Sequence, residues 1–169
     1  MIIVLLAEGF EEIEALTPVD MLRRANLNVK TVGVTGKTVT GSHGIPVVCD
    51  TIPDDVALGE VTMAIFPGGM PGSLNLDASH YTDTIIDTVI KNGGHLAAIC
   101  AAPLVLGRRG LLANREATCF PGFEKELIGV TIKDSDVVTD GNITTARGME
   151  YSLPFAKELV RIALASCDK

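Results

Sequence analysis

One cysteine lies where a catalytic nucleophile is often placed. The segment HLAAICAAP sets Cys100 between a buried apolar strand and the start of a helix, among alanines that permit a tight turn, and this pattern is typical of a nucleophile elbow. A helix N-terminus offers unpaired N–H groups and partial positive charge, so we expect the pKa of the Cys100 thiol to be lowered and its sulfur to be reactive. The alternative is that Cys100 is a small buried hydrophobic residue, as most free cysteines are.

Two backbone amides are candidates for an oxyanion hole beside this cysteine. Gly68 and Gly69 follow another buried strand, and glycine lets the backbone approach a ligand closely. The carboxyl ends of parallel strands meet at one edge of a sheet, so we expect the N–H groups of Gly69 and Ala101 to lie there together. The alternative is an ordinary turn, which a strand followed by Pro-Gly-Gly also predicts.

The acidic segment after the first strand supplies a candidate proton donor, Glu14. Pro18 has no N–H to bond the Glu14 carbonyl, so we expect a kink there that turns the Glu14 side chain toward the strand edge. A protonated Glu14 could donate a hydrogen bond to the Cys100 sulfur, and the two groups would titrate as a coupled pair. The alternative is a solvated acidic helix start. Water-facing side chains are expected for the other acids, Glu8, Glu11 and Glu12.

The elements that must position these residues alternate between strand and helix. Continuous apolar runs predict strands buried on both faces, spacings of three and four predict amphipathic helices, and Asp140-Gly141 predicts a hairpin. This alternation favours an α/β fold with a mostly parallel sheet and helices on both faces. The predicted strands cover 2–7, 28–34, 63–66, 95–99 and a pair within 137–145, with a ribbon over 39–48. The predicted helices follow the acidic segment, cover 73–92 and 101–109, and end the chain with a stripe of Leu153, Ala156, Val160, Ala163 and Cys167.

Composition narrows the classes of function. The chain has 169 residues, the usual size of one domain, and a net charge of −7 leaves no basic stripe for nucleic acid or an anionic membrane. Its four cysteines lack the spacing of a zinc site, and its opening lacks the basic start of a secretion signal. No Gly-rich phosphate loop follows the first strand, which disfavours a flavin or nucleotide binder. We expect a cytoplasmic protein without metal or cofactor that acts on small molecules or proteins.

Four separated motifs carry a resemblance to a known superfamily. AEGFEEIEALTPVDMLRRA, IFPGGMPG, AAICAAP and TTARG occur in the order seen in the ThiJ/PfpI superfamily, and the chain most resembles its DJ-one/YajL-like branch. The resemblance implies a single domain over 1–169 with a flavodoxin-like (class I glutamine-amidotransferase-like) sandwich, and a homodimer. It also implies a reactive Cys100, a partner carboxylic acid at Glu14, and an oxyanion or substrate pocket at Gly68, Gly69 and Ala101.

The same resemblance implies two kinds of function. The first is a cysteine-dependent enzyme for small reactive carbonyls, either a glutathione-independent glyoxalase that converts methylglyoxal to lactate or a deglycase of proteins or nucleotides. There the Cys100 thiolate adds to the aldehyde, the Gly69 and Ala101 N–H groups hold the oxyanion and Glu14 moves the proton. The alternative is a non-enzymatic sensor of oxidative stress, or a holdase chaperone, that works through oxidation of Cys100.

Two departures from the family disfavour peptide hydrolysis and glutamine-dependent amide transfer. Protease-like members place a histidine directly after the cysteine, where this chain has Ala101. The histidine that the DJ-one member has near the cysteine corresponds here to Phe120. Neither histidine is available for a Cys–His dyad.

Two further residues are candidates for lining the site, and each has two interpretations. By resemblance to the DJ-one member, His43 lies where that protein has an arginine that reaches toward the neighbouring subunit's pocket. His43 therefore either lines the site or is an exposed turn histidine. Arg147 either supplies local positive charge or pins the final turn. His80 and His95 are expected to be structural.

Overall fold

The structure, a computed structural model, describes the backbone of residues 1–167 and the side chains of residues 1–166. The Cys167 side chain, predicted to end the last apolar stripe, lies outside the described residues. The helices are α1 (Glu12–Arg24), α2 (Gly72–Ala78), α3 (His80–Lys91), α4 (Pro103–Arg108) and α5 (Ser152–Cys167). The strands are β1 (Ile2–Leu6), β2 (Val29–Gly33), β3 (Thr38–Thr40), β4 (Pro46–Val48), β5 (Met63–Phe66), β6 (His95–Ile99), β7 (Glu116–Ala117), β8 (Thr131–Ile132), β9 (Val137–Asp140) and β10 (Ile143–Ala146).

The central sheet is mostly parallel, as the sequence predicts. Its six strands run in the order β2-β1-β5-β6-β10-β9. All neighbouring strands are parallel except β9, which pairs antiparallel with β10 at one edge. In register, Val4 of β1 pairs with Ile65 of β5, which pairs with Ala97 of β6. The carboxyl ends of β1, β5 and β6 therefore lie side by side at the same edge of the sheet.

Helices cover both faces of this sheet, because its strands are apolar on both sides. On β1, Ile3 and Leu5 pack into a core with residues of α2, α3 and α4. Val4 and Leu6 point the other way, into a core with residues of α1 and α5. The alternation follows from the two-residue period of a strand. The predicted three-layer arrangement is confirmed.

The helix predicted over 73–92 is wrong, because two helices take its place. The chain becomes extended at Ser79, with φ −83° and ψ 124°, between α2 and α3. Leu76 and Ile85 are nine residues apart, so about 100° per residue would put them on opposite sides of one continuous helix. Both are fully buried in the same core. The break at Ser79 is what lets them face the sheet together.

The last helix forms as predicted, but Leu153 of its predicted stripe is not buried, and two large side chains outside that stripe are. Leu153 is exposed, whereas Phe155 and Leu159 are fully buried alongside Ala156. Phe155 and Leu159 are one helical turn apart, and the larger side chains occupy the space between α1 and the sheet. Ala163 is buried as predicted.

Two other predictions concern the elements next to the site. The ribbon predicted over 39–48 is confirmed as the antiparallel pair β3 and β4. The helix predicted over 101–109 begins later, with Pro103 in its first turn, so Ala101 belongs to the turn before α4. None of the helices in the described part of the chain is long and apolar enough to cross a membrane.

Candidate active site

Cys100 occupies a sharp turn between β6 and α4. Its φ is 65°, a left-handed conformation that is uncommon for a residue with a side chain. The Cys100 N–H donates to the Ala146 carbonyl of β10 at 2.9 Å, and the Cys100 carbonyl accepts the Phe120 N–H at 2.8 Å. Both backbone groups are thus engaged, and the side chain remains partly exposed. The geometry is that of the predicted nucleophile elbow.

Glu14 lies on the inner side of α1, directed to the same sheet edge. Its side chain is fully buried, and Oε2 accepts the Gly68 N–H at 2.9 Å. Oε1 is buried without a hydrogen-bond partner among the described residues. Helix α1 continues from Glu12 to Arg24 through Pro18. The predicted inward orientation of Glu14 is confirmed, and its catalytic role stays a prediction.

The environment of Glu14 favours its protonated form. Burial raises the pKa of this carboxyl from its ordinary 4.5 to about 7, and the nearby Glu11 charge raises it further. Hydrogen bonds with Cys100 and Gly68 act in the opposite direction but are the smaller causes. A carboxyl with this pKa is partly protonated and partly ionised at neutral pH, which suits both proton donation and proton removal.

Two backbone N–H groups are placed to stabilise negative charge on the Cys100 sulfur. The N–H groups of Gly69 and Ala101 bond the sulfur and lower the pKa of its thiol, and neither has a backbone acceptor among the described residues. Gly69 has a φ of 89°, and a Cβ there would lie 2.4 Å from the Glu11 nitrogen. A glycine is therefore required at this turn. The Gly68 N–H is occupied by Glu14, so Gly68 holds the acid and is not a free oxyanion donor.

The prediction that the pKa of the Cys100 thiol is lowered is wrong. With Glu14 ionised, the pKa of this thiol is raised. Burial is the largest cause that raises the pKa of this thiol, and the Glu14 charge raises it further. The amides of Ala101 and Gly69 lower it only in part, and α4 is a short helix that begins three residues later. Because each group raises or lowers the pKa of the other, we expect Glu14 and Cys100 to titrate as one pair.

His43 is an exposed residue of the turn between β3 and β4. Its backbone N–H donates to Glu12 Oε1 at 2.8 Å, and its Nδ1 lies 2.9 Å from Glu12 Oε2. The hydrogen bond to Glu12 and the Glu11 charge raise the pKa of His43. No described contact joins His43 to Cys100, so within one subunit the exposed-turn interpretation holds.

Glu12 does not face water as predicted, whereas Glu8 is exposed and Glu11 is half-buried. Backbone N–H groups of the β3–β4 turn bond the Glu12 carboxylate and, with His43, hold its pKa at about 2 despite the opposing effect of burial. A Cβ on Gly41 would lie 2.3 Å from this carboxyl group, so Gly41 provides the space. This anchor could not be predicted from local sequence, because the partners of Glu12 lie about thirty residues away along the chain.

A cluster of possible metal ligands occurs at this anchor. One ligand atom each from Glu11, Glu12 and His43 lies within 4.8 Å of the others. Ser42 Oγ also donates to Glu11 at 3.0 Å. Ion pairing and these hydrogen bonds account for the cluster without an ion, so we assign no metal to it.

Arg147 lies at the end of β10 and pairs with Asp134, and its backbone N–H donates to the Asp136 carbonyl at 3.0 Å. These contacts fit the interpretation that it pins the final turn. His95 is buried, its Nε2 lies 2.8 Å from Thr144 Oγ1, and burial lowers its pKa to about 4. The structural role predicted for His95 is thus consistent with its contacts.

Comparison with known proteins identifies the family. The sequence profile of the DJ-1/PfpI family matches residues 1–162. The chain belongs to this family. Protein dj-1beta of Drosophila melanogaster is 34% identical over 164 residues, covering 93% of this chain and 88% of that protein. The crystal structure of Drosophila melanogaster DJ-1beta matches with a TM-score of 0.88 at 32% identity, covering 94% of this chain and 87% of that one. The DJ-1-like branch and the flavodoxin-like fold are therefore confirmed.

Two further members of the DJ-1/PfpI family have names that state an activity. Putative cysteine protease YraA of Bacillus subtilis is 32% identical, with 95% of this chain and 96% of that protein covered. Deglycase PH1704 of Pyrococcus horikoshii is 29% identical, with 95% and 98% covered. The DJ-1/PfpI match includes all the predicted site residues, from Glu14 to Arg147.

Phe120 is a feature of this DJ-1/PfpI site whose position the sequence did not reveal. Its side chain is exposed, and its ring Cδ2 lies 3.2 Å from where a Cβ of Gly148 would be. The sequence showed only that Phe120 replaces a histidine. Its backbone N–H donates to the Cys100 carbonyl, so the Phe120 backbone lies beside the turn that carries the cysteine.

Proposed function

We propose that this DJ-1/PfpI protein is a cysteine-dependent enzyme that acts on small reactive carbonyls, as a glyoxalase converting methylglyoxal to lactate. One observation carries the proposal. The buried Glu14 carboxyl, with a pKa of about 7, lies beside the Cys100 thiol. The N–H groups of Gly69 and Ala101 bond the same sulfur and have no backbone acceptors among the described residues. The name of Deglycase PH1704 supports carbonyl-adduct chemistry, and deglycation is the second reaction to test at this site.

The first half of the reaction starts with one proton on the pair, held by Cys100 because the pKa of this thiol is raised beyond that of Glu14. Cys100 passes this proton to the Glu14 carboxylate and becomes the thiolate. The thiolate adds to the aldehyde carbon of methylglyoxal, and the former carbonyl oxygen takes the proton from Glu14. The product is a hemithioacetal bonded to the sulfur. While the negative charge is on oxygen, the N–H groups of Gly69 and Ala101 stabilise it.

The second half moves hydrogen between the two carbons. The Glu14 carboxylate removes the proton from the carbon bonded to sulfur, giving an enediolate. The hydroxyl proton passes from the first oxygen to the second, and Glu14 returns its proton to the neighbouring carbon. The first carbon is thereby oxidised to a thioester while the second is reduced to an alcohol. Water hydrolyses the thioester to lactate and regenerates the Cys100 thiol and Glu14. The balance is one methylglyoxal and one water to one lactic acid, without a cofactor.

The test measures methylglyoxal consumption and lactate formation. Cys100→Ser and Glu14→Gln should each reduce turnover by at least about a hundredfold, since both groups act on the reacting atoms. Cys119→Ala is the matched control, because Cys119 is a buried thiol. Absence of lactate from the wild-type protein, or undiminished turnover in Cys100→Ser, would contradict the proposal. The same variants assayed with an early methylglyoxal adduct of a protein amine test deglycation.

A sensor function is the second candidate, and it is favoured by the different exposure of the three cysteines whose side chains the structure describes. Cys100 is partly exposed, whereas Cys49 and Cys119 are buried. Peroxide should therefore oxidise Cys100 first, with two molecules of peroxide giving a sulfinate and two of water. Selective gain of two oxygens at Cys100 without aldehyde turnover would support the sensor or holdase. Earlier oxidation of another cysteine would contradict both candidates.

We also propose that the chain is a single-domain cytoplasmic protein and a homodimer, with no nucleic-acid or membrane partner. The exposed apolar residues Ile13 of α1 and Leu153 of α5, which line one shallow groove, support a self-association surface. The net charge of −7 disfavours polyanionic partners. Light scattering that detects only monomer at micromolar concentration would contradict the dimer and remove any role for His43 across an interface.

A further inference from the structure

A cavity lies at the amino end of the central sheet, at the opposite end of β6 from Cys100. Ile2, Met63 and His95 begin β1, β5 and β6 and are register partners, so their side chains lie on the same face of the sheet. Helix α5 covers that face. The cavity has a volume of about 540 Å³, within the range of small-molecule sites. Its lining includes Ile2, Leu27, Met63, His95, Ile162 and Ala163.

A chain of hydrogen bonds fixes the ring proton of His95 on Nε2. The hydrogen bond from Arg161 holds the pKa of Glu158 below its ordinary value, so this carboxylate is ionised and only accepts hydrogen bonds. The Thr139 hydroxyl donates its one proton to Glu158 Oε1 at 3.0 Å. The Thr139 oxygen therefore accepts from Thr144 Oγ1, which is 2.8 Å away. With its own proton used in this way, Thr144 Oγ1 accepts from His95 Nε2 at 2.8 Å.

The other ring nitrogen of His95, Nδ1, is an acceptor without a partner among the described residues. Burial lowers the pKa of His95 to about 4, so the ring is neutral at neutral pH and Nδ1 carries a lone pair. His95 is only 8% exposed. Nδ1 is not among the described polar atoms that are both unpartnered and sealed from solvent, so its lone pair reaches the cavity that His95 lines. A ligand N–H or O–H group is the complement of such a buried acceptor.

The rest of the lining does not favour a charged ligand. No acidic or basic side chain of the described residues lines the cavity, and the Met1 ammonium donates to the Glu60 carbonyl at 2.8 Å. The side-chain amides of Asn92 and Asn142 donate to backbone carbonyls. A ligand carboxylate could not donate to His95 Nδ1, and burial would remove its hydration without a free cation to replace it.

We infer that this cavity binds an uncharged molecule that has an apolar body and one N–H or O–H group, which donates to His95 Nδ1. The apolar body lies against Met63 and Ile162, where its surface leaves water. Thr144 is the positioning residue, because its bond to Nε2 makes Nδ1 the acceptor. The inference does not depend on the reaction at Cys100, which is about 16 Å away along β6 at about 3.3 Å per residue.

The test compares the binding of indole with that of benzofuran, which has the same bicyclic shape but an oxygen in place of the N–H group. Calorimetric titration should give a Kd for indole about tenfold lower than for benzofuran, the effect of one hydrogen bond. Indole-5-carboxylate keeps the N–H group and adds a charge, so it should bind at least about tenfold more weakly than indole. The inference fails if indole does not bind, if the two bicyclic compounds bind equally, or if the carboxylate binds more tightly than indole.

Variants assign the binding to the cavity and to the His95 ring. His95→Leu should weaken indole binding about tenfold and leave benzofuran nearly unchanged, because it removes the acceptor and keeps an apolar side chain. Thr144→Val should lose most of the preference for indole, whereas Thr144→Ser keeps the hydroxyl and should retain it. Ala163→Leu takes up space in the cavity and should weaken both compounds. His80→Leu, at an exposed histidine of α3, is the control. A preference for indole that persists in His95→Leu would contradict the inference.

Nitrogen-15 magnetic resonance of the His95 ring tests the inference in the wild-type protein, where the folding of a variant is not in question. Without ligand, the proton should be on Nε2 and the Nδ1 signal should be that of an unprotonated nitrogen. Indole should move the Nδ1 signal upfield, as expected for a nitrogen that accepts a hydrogen bond, and benzofuran should not. A proton on Nδ1 in the free protein, or an Nδ1 signal that indole leaves in place, would overturn the inference.

Discussion

Glu14 and Cys100 lie next to each other because residue 68, which contacts both, is a glycine without a side chain. A Cβ on Gly68 would lie 2.4 Å from Glu14 Oε2 and 2.7 Å from the Cys100 Cβ, closer than real Cβ contacts. The Gly68 N–H donates to the same Glu14 oxygen at 2.9 Å. Gly68 thus holds the acid and leaves it room beside the sulfur.

Gly68→Ala should separate the two groups. The added methyl forces Glu14 or Cys100 to move, so kcat/KM for methylglyoxal should fall at least about tenfold, and the free energy of unfolding should fall by about 1–3 kcal/mol. Steady-state kinetics and urea denaturation measure these changes. Gly59→Ala is the control, because a Cβ there meets nothing within 4 Å. Equal behaviour of the two variants would contradict the spacer role.

The stability of the fold should depend on pH through Glu14. Folding raises the pKa of this carboxyl from 4.5 to about 7, so between these values the folded state binds more protons than the unfolded state. The stabilisation is fully present below pH 4.5 and is lost as pH rises through 7, on the order of 3 kcal/mol in total. Urea denaturation across this range should show that Glu14→Gln removes this slope. Parallel curves for the two proteins would rule out the raised pKa.

The Cys100 thiol should ionise more readily when Glu14 is replaced. The Glu14 charge and hydrogen bond raise the pKa of this thiol, so Glu14→Gln should lower it, while the amides of Ala101 and Gly69 remain. Ultraviolet absorbance of the thiolate against pH measures the change, with Cys100→Ser subtracted as the blank. Identical titrations of Cys100 in the wild type and in Glu14→Gln would show that the two groups are not coupled.

The imidazole of His43 should titrate above its ordinary value of 6.5, because Glu12 and Glu11 stabilise its protonated form. Nuclear magnetic resonance of the histidine ring protons measures this pKa, and Glu12→Gln should lower it. His95 serves as an internal control in the same spectra, since burial holds its pKa near 4. A His43 pKa that does not change in Glu12→Gln would show that the ion pair is absent in solution.

Local sequence alone predicted β5 and β6 and the turns after them that carry the site. β5 and β6 have the predicted bounds, Met63–Phe66 and His95–Ile99, and the elbow at Cys100 follows directly. Continuous apolar runs can be buried only between two layers, and Gly-Gly or a cysteine among alanines marks where each run ends. These are properties of neighbouring residues, so they can be inferred without knowing the rest of the fold.

Helix continuity and helix faces were predictable only in part. Apolar periodicity indicated helix on both sides of Ser79, but the interruption depends on where Leu76 and Ile85 must meet the sheet. On α5 the spacing favoured Leu153, whereas the large Phe155 fills the space beside α1. Several apolar stripes on one helix fit the same period, and packing against other elements decides which of them is buried.

Only the tertiary structure decided the burial and the charge state of the acids and of the thiol. Glu12 is bonded by the His43 N–H, 31 residues away, and Glu14 by the Gly68 N–H, 54 residues away. The pKa of Cys100 is raised and not lowered, because the thiol is buried and a buried acid lies beside the sulfur. Desolvation and Coulomb interactions depend on distances in space, which chain folding sets and sequence spacing does not.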